Sequence, residues 1–451
     1  DERGIYAYGT DYEYWYPYFG ANFWELWERD LHVEIFGADG SAWIAQDAGI
    51  QIAGGYSRAF DQRNFELLAR SGYGPDTFAY PLFDDEQIGA YERIYLRNGG
   101  DWCSTQLVDA AVQGVFRDAD GARYPYVDAQ AYEPALVFLN GDFWGVYEMK
   151  ERLDEGYVAA HHGEDPDALD RVKLGWTHDA NWELEQGSWA AFEAMETLVA
   201  SQDLAESDAY AEFAAMVNEK NFASALVAQG WIANTDFWHN NLRLWRPTRD
   251  GGEWHWMVYD FGHGWTDYNY DHLSYTTSGT WTGLPVAAAL RSDAFRATFV
   301  NTHADYLNTT LDGTWARSVV EGLADEVRPV MPMQRERWCG GANMSAWESA
   351  VDYAALYAER RGGVVRDDLE RVFALDPVSL SIAADGDGAF ALTTVTVESG
   401  FSGTYYRGVP LTVTPVPAEG WRFAGWDGLD GEALTISMDD DVALVGHFER
   451  Q

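Results

Sequence analysis

Lysine is almost missing from this chain: Lys150, Lys173 and Lys220 are the only three among 451 residues. With arginine they make 30 basic side chains against 73 Asp and Glu, a formal charge of −43, and a surface of that sign repels both a phosphodiester backbone and an anionic lipid face. The balance argues against nucleic acid and anionic membrane surfaces as partners. Cysteine occurs only as Cys103 and Cys339; the pair either closes one large loop in an oxidising compartment or stands as two buried thiols. No apolar run reaches the ~18 residues of a membrane span. The chain opens at Asp1 with neither a methionine nor a signal-type segment, which reads as a mature, processed secreted protein. Its histidines show no zinc-type spacing with cysteine, and neither G-x-S-x-G nor a Walker sequence occurs.

What is present is apolar and aromatic. Hydrophobic residues at 47% and aromatic residues at 15% place the chain outside the disordered class despite its acidity, and its length exceeds one typical domain. The carboxylates are spread along the chain rather than gathered in a tail. A dense hydrated carboxylate shell suited to salty water and a genome rich in G and C, which also favours Arg, Ala, Gly and Asp, account for this equally well. The tryptophans invite sugar stacking, and a glycan-binding or glycan-cleaving protein is a third reading; as core and seam fillers they need no ligand.

Strand patterns dominate the first part. Residues 31–36, 48–53, 64–69 and 93–97 read as strands, 105–116 has helical spacing, and strands 134–139 and 144–149 flank Asn140-Gly141, a strong hairpin signal. From about residue 182 the period becomes 3.6, predicting helices over 182–201, 205–217, 222–233 and again within 293–373. After Asp376-Pro377 short Val, Thr and Leu strands with Gly-rich turns over 410–417, 420–426 and 442–448 predict a small all-β module. The expected organisation is α+β: a two-lobed, atypical protein-kinase-like fold over 1–375, strand-rich to about 176 and helix-rich over 177–375, then the module over 376–451.

Two short stretches carry chemistry. Asp236, Asn241 five residues later, and Asp260 in Asp260-Phe-Gly262 follow the order in which protein kinases place a base and two metal ligands. Between the last two, 242–247 and 253–259 read as strands joined by Arg249-Asp-Gly-Gly252, with Asp250-Gly251 suited to a two-residue type I′ turn. In that register residue numbers summing to 501 face each other, which sets Asn241 opposite Asp260 with Cα atoms about 4.5–5.5 Å apart. Two oxygen donors so placed suit a hard cation such as Mg²⁺. Asp267-Tyr-Asn-Tyr-Asp271 alternates oxygen ligands like the start of a calcium loop but lacks its Gly and distal Glu, and reads as a loop.

Residues 139–154 (Leu-Asn-Gly-Asp-Phe-Trp-Gly-Val-Tyr-Glu-Met-Lys-Glu-Arg-Leu-Asp), together with 49–58, 96–102 and 234–241, resemble the CotH family of secreted, kinase-like proteins, over about residues 4–373. The tail from about Val378 is similar to divergent internalin-type B repeats of bacterial surface proteins. The resemblance implies a secreted or surface protein kinase using ATP and Mg²⁺ or Mn²⁺ to phosphorylate Ser or Thr hydroxyls of proteins outside the cell. Asp236 would be the base, Asn241 and Asp260 the metal ligands, and Glu151 the anchor of a phosphate-facing cation, or else a strand-end carboxylate. Where the family carries Lys this chain has Arg63, and Asp260-Phe-Gly-His-Gly264 replaces the usual Asp-x-Asp pattern. Lys173 and Arg58 are the other candidate phosphate cations. The alternative is a non-catalytic scaffold or adhesin, a pseudokinase body attached to partners or to itself through the β module.

Overall fold

In the computed structural model, residues 3–83, 88–99, 103–117, 126–175, 182–238, 240–279 and 281–451 are described. Asp101, Trp102 and His239 of the family stretches, and the expected lobe boundary at 176/177, lie outside them. The chain is mixed α+β, with strands early, helices in the middle and an all-β module at the end. It folds into two compact units. The first comprises Asp1–Gly114, Gln130–Ala168 and Val320–Ala354; the second comprises Val115–Ala129, Leu169–Val319 and Ala355–Gln451. One division falls at Ala168/Leu169; Val320–Ala354 group with the early strands, and the terminal module groups with the middle helices.

The first unit is built on a six-stranded antiparallel sheet of β1 (Arg29–Phe36), β2 (Ala42–Ala53), β3 (Asn64–Leu68), β4 (Arg93–Arg97), β5 (Tyr132–Leu139) and β6 (Asp142–Glu151), in the order β1-β2-β3-β4-β6-β5. Period-2 alternation sends Ile52, Phe65, Leu67, Ile94, Leu96, Tyr147 and Met149 into one core. Asn140 and Gly141 both have positive φ, 52° and 88°, as a type I′ turn demands, so the β5–β6 hairpin closes at Leu139 opposite Asp142. Helices α1 (Val108–Val115) and α2 (Glu155–His162) belong to this part of the chain. A second cluster joins Leu107 and Val146 to Ala324, Val327, Met331, Trp347 and Val351. Here the cysteine question is decided: Cys103 and Cys339 are disulfide-bonded, with Cα atoms 5.6 Å apart across 236 residues of sequence.

The second unit holds a four-stranded sheet of β7 (Leu169–Leu174), β8 (Trp182–Gln186), β9 (Leu242–Pro247) and β10 (His255–Met257), in the order β10-β9-β7-β8. Residues 182–186, expected as the start of a helix, are strand β8. Glu185 reaches across the sheet to Arg171 at 3.2 Å and Arg243 at 2.8 Å, and such cross-strand pairs lie outside any local window. The helices are α3 (Ala190–Ser201), α4 (Ser207–Ala214), α5 (Glu219–Trp231), α6 (His272–Ser278), α7 (Val286–Ala289), α8 (Asp293–Leu307), α9 (Thr314–Val327), α10 (Met331–Trp338) and α11 (Ser345–Phe373). Of these α10 and parts of α9 and α11 fall in the first unit. No helix among the described residues is long and apolar enough to cross a membrane.

The terminal module pairs β14-β11-β18-β16 in one sheet and β13-β12-β15-β17 in another, from β11 (Pro377–Asp385), β12 (Gly388–Ala391), β13 (Thr396–Val397), β14 (Phe401–Tyr406), β15 (Leu411–Pro417), β16 (Trp421–Trp426), β17 (Leu434–Ile436) and β18 (Val442–Arg450). It is bonded to α8. The buried Asp305 carboxylate accepts from the Thr394 N–H at 2.6 Å and the Tyr405 hydroxyl at 2.7 Å. Asn308 exchanges two hydrogen bonds with the Thr404 backbone.

Candidate active site

Helix α5 is buried nearly all round, Phe222, Leu226, Val227 and Trp231 together with Asn221, Ser224 and Gln229; a helix so enclosed is core material, which makes its end a fixed launching point. Just past it Ala233 adopts φ 52° and Asn234, fully buried, becomes a hub. The Asn234 side-chain amide donates to Gln229 Oε1 at 2.9 Å and to the Asp260 carbonyl at 3.3 Å. Its Oδ1 accepts the Asp236 N–H at 3.1 Å, and its backbone carbonyl accepts from His272 Nε2 at 2.9 Å. Asp236 Oδ2 in turn accepts from Asn240 Nδ2 at 2.7 Å and Asn241 Nδ2 at 3.0 Å. Asn241 and Asp260 both hold left-handed backbone, φ 55° and 56°, a conformation that Asn and Asp tolerate better than other side-chain-bearing residues and that gathers at functional sites.

The three residues named from spacing are therefore brought together, but not by the expected hairpin. The observed pairs are His255 with Trp245, Trp256 with Leu244 and Met257 with Arg243, so partner numbers sum to 500, one short of the expected register. The turn is not type I′: Gly251 has φ 72° while Asp250 keeps a negative φ, and the Gly252 N–H bonds the Arg249 carbonyl at 3.0 Å. Beyond Met257 the strand leaves β9, with Met257 bridging to Asp128 and the Val258 N–H donating to the Asp128 carbonyl. The Asn234 amide links Asp236 and Asp260 through their backbone groups.

His272 is buried and neutral; burial pulls its pKa down to about 3. With Nε2–H given to the Asn234 carbonyl, Nδ1 is left to the Thr276 hydroxyl at 3.0 Å, and Thr276 Oγ1 accepts from Trp238 Nε1 at 3.1 Å. Asp267 and Asp271 are turn and cap residues. Asp267 Oδ1 accepts the Asn269 N–H, and Asp271 accepts the Ser274 N–H at the start of α6 and pairs with Arg371 at 2.6 Å.

The expected phosphate cations have other partners. Arg63 is buried with its guanidinium between the rings of Tyr6 and Phe23, 4.2 and 4.1 Å from their centroids, and its Nε bonds the Arg58 carbonyl; this is a packed cation–π core contact rather than a phosphate clamp. Arg58 donates to the Gly54 and Phe23 carbonyls at 2.6 and 3.2 Å, and burial lowers its pKa. Glu151 Oε1 meets His161 Nε2 at 2.7 Å and its Oε2 accepts the Ala131 N–H at 2.9 Å. Lys173 sits half-buried in β7, in register with Glu183 and Arg243.

Lys150 has a setting that no local pattern announces in full. It is fully buried in β6 and bonded to Asp109 of α1, with Glu148 at 2.9 Å and Arg97 of β4 joining Asp109 at 3.3 Å. Burial pushes the Glu148 carboxyl up, against the pull of Lys150 and Arg97. A buried charge pair is costly unless both members are held, and here two anions meet two cations. The available signal is Glu148 and Lys150 two residues apart, hence on one face of the strand.

Residues 50–365 match the family model described as CotH kinase protein. The chain belongs to the CotH kinase protein family. Residues 380–451 match the divergent InlB B-repeat domain, a segment that takes in the terminal strands except the first residues of β11. No curated protein matches the chain. Membership in the CotH family implies nucleotide and metal use in general, and its pairing with a B-repeat suggests a bacterial surface or coat protein.

Proposed function

We propose that this CotH-family chain transfers the γ-phosphate of ATP to Ser or Thr hydroxyls of proteins at or outside the cell surface, using Mg²⁺ or Mn²⁺. The observation that carries it is the Asn234 amide, which fixes the Asp236 N–H and the Asp260 carbonyl on one side chain, while Asp236 holds the Asn241 amide. With Nδ2 given to Asp236, Asn241 keeps Oδ1 as its donor to a cation, and Asp260 adds carboxylate oxygen. Hard oxygen donors of this kind fit Mg²⁺ or Mn²⁺. Among the described residues no cluster of three or more His, Cys, Asp or Glu could hold a metal, which suits an ion that keeps waters and phosphate oxygens as its other ligands.

Asn241 and Asp260 would hold a divalent ion, which would supply neutralisation of the charge developing on the phosphate oxygens. Asp236, oriented by two amide donors, accepts the proton of the substrate hydroxyl as that oxygen attacks the γ-phosphorus and ADP leaves. The Cys103–Cys339 disulfide supports an oxidising compartment. Incubation with labelled ATP, Mg²⁺ or Mn²⁺ and a generic protein acceptor tests the reading: label is incorporated by the wild type and lost in Asp260→Ala. Equal labelling of the two would remove it. The scaffold reading is favoured by one observation, the aromatic sandwich that takes Arg63 out of play, and calorimetry with ATP and Mn²⁺ separates the two, since a scaffold binds neither.

A further inference from the structure

Arg361 lies in α11 with 1% of its surface exposed, and among the described residues no carboxylate stands within ion-pair distance of it. Its guanidinium is instead spread over four backbone carbonyls. Nε donates to Trp231 at 2.9 Å and Nη2 to Gly230 at 3.0 Å; Nη1 donates to Tyr268 at 2.7 Å and to Tyr270 at 2.8 Å. The first two carbonyls end α5, where the helix macrodipole favours a cation. The other two belong to the loop that follows Asp260. The rings of Trp231, Trp265 and Tyr357 pack edge-on or tilted against one another there. The Trp265 N–H bonds the Ile232 carbonyl at 3.0 Å, and a Cβ on Gly264 would stand 2.3 Å from Ile232 Cγ1, so the loop lies directly on the helix end.

A desolvated cation is an expensive way to hold two segments together; an apolar side chain would pack them at lower cost. Only the planar, five-donor fork of arginine fixes carbonyls from both segments in one plane. One segment leads to Asn234 three residues and to Asp236 five residues past Trp231, the other trails Asp260. We infer that Arg361 is a positioning residue that sets the Asp236 loop against the Asp260 loop, so that the site is assembled without phosphorylation of the loop's Thr266, Tyr268 or Tyr270. The catalytic consequence rests on the phosphotransfer reading above; the mechanical coupling does not.

The test uses the full chain with Arg361→Lys and, as a second variant, Arg361→Met, against wild type expressed without any kinase partner. An ammonium keeps the charge but cannot span four carbonyls. Arg361→Lys is expected to lower kcat by ~10-fold or more, with KM for ATP nearly unchanged, as misplacement of reacting groups does. It is also expected to raise amide hydrogen exchange in residues 232–241 and 261–270 together, leaving the first unit's sheet protected. Unchanged kcat in an active enzyme, or exchange rising in one segment alone or in neither, overturns the inference. If the wild type transfers no phosphate at all, the phosphotransfer reading falls, and the exchange pattern by itself decides whether Arg361 couples the loops. Should Arg361→Met fail to fold, the lysine variant carries both measurements.

Discussion

The side chain of Asn234 donates to the backbone carbonyl of Asp260 at 3.3 Å across 26 residues of chain, and this bond, not a β-ladder, aligns the two halves of the candidate site. Asn234→Ala leaves the Asp236 N–H and the Asp260 carbonyl without that partner in a buried setting. The expected cost is about 1–3 kcal/mol in urea denaturation, with phosphotransfer down ~100-fold because the base and the metal ligand drift apart. A variant with full transfer activity would show that Asn234 only packs.

Reducing the Cys103–Cys339 bond should loosen the first unit. The bond closes a loop of 236 residues, and cross-links over loops of that length contribute roughly 2–5 kcal/mol. The double variant Cys103→Ser/Cys339→Ser should unfold at lower urea than the oxidised wild type and coincide with the wild type in dithiothreitol. Identical midpoints in oxidant and reductant would argue against the bond as a brace.

His272 makes the fold acid-sensitive. Its native pKa is lowered by burial from 6.5 to about 3, so the unfolded chain binds a proton that the native chain refuses. The stability from keeping it neutral is present above pH 6.5 and is lost as pH falls toward 3, about 2 kcal/mol by pH 5. His272→Gln, which can still donate to the Asn234 carbonyl, should remove that component of the slope in urea midpoints measured from pH 7 to 4.5.

Asp305 acts in the opposite sense at the foot of the terminal module. Burial raises its pKa from 3.8 to about 6, partly offset by the Tyr405 and Thr394 donors and by Lys220. The protonated form is favoured in the folded chain, so its contribution is present below pH 3.8 and lost as pH rises through 6. Asp305→Asn can accept from Thr394 and donate to Tyr405. Between pH 4 and 7 its stability should therefore gain on the wild type by about 2 kcal/mol, read as the difference in urea denaturation curves.

Where the chain spoke through neighbours a few residues apart, its sequence was a sound guide. Asn140-Gly141 demanded positive φ twice and closed the β5–β6 hairpin; the Val, Thr and Leu alternation after Asp376 built the terminal strands; the Asp236 to Asn241 spacing put both side chains in hydrogen-bond contact. Each of these depends on backbone sterics or on a periodicity that a short window contains. The hairpin before Asp260 was read one residue out of register, because its exit is decided by Asp128, over a hundred residues upstream. Residues 182–186 looked helical because the arginines that hold Glu185 come from two other strands.

The sequence by itself determined the local elements, the order of the site residues along the chain and the acidic surface, since those follow from side-chain identity and short-range geometry. Only the tertiary structure decided that Cys103 meets Cys339, that Lys150 rather than Arg63 pairs with a helix carboxylate, and that Asn234 and Arg361 tie the two site loops together. The physical reason is desolvation: a charge or an amide gains a unique partner only once burial has removed water as a competitor, and burial is a property of the whole packed chain.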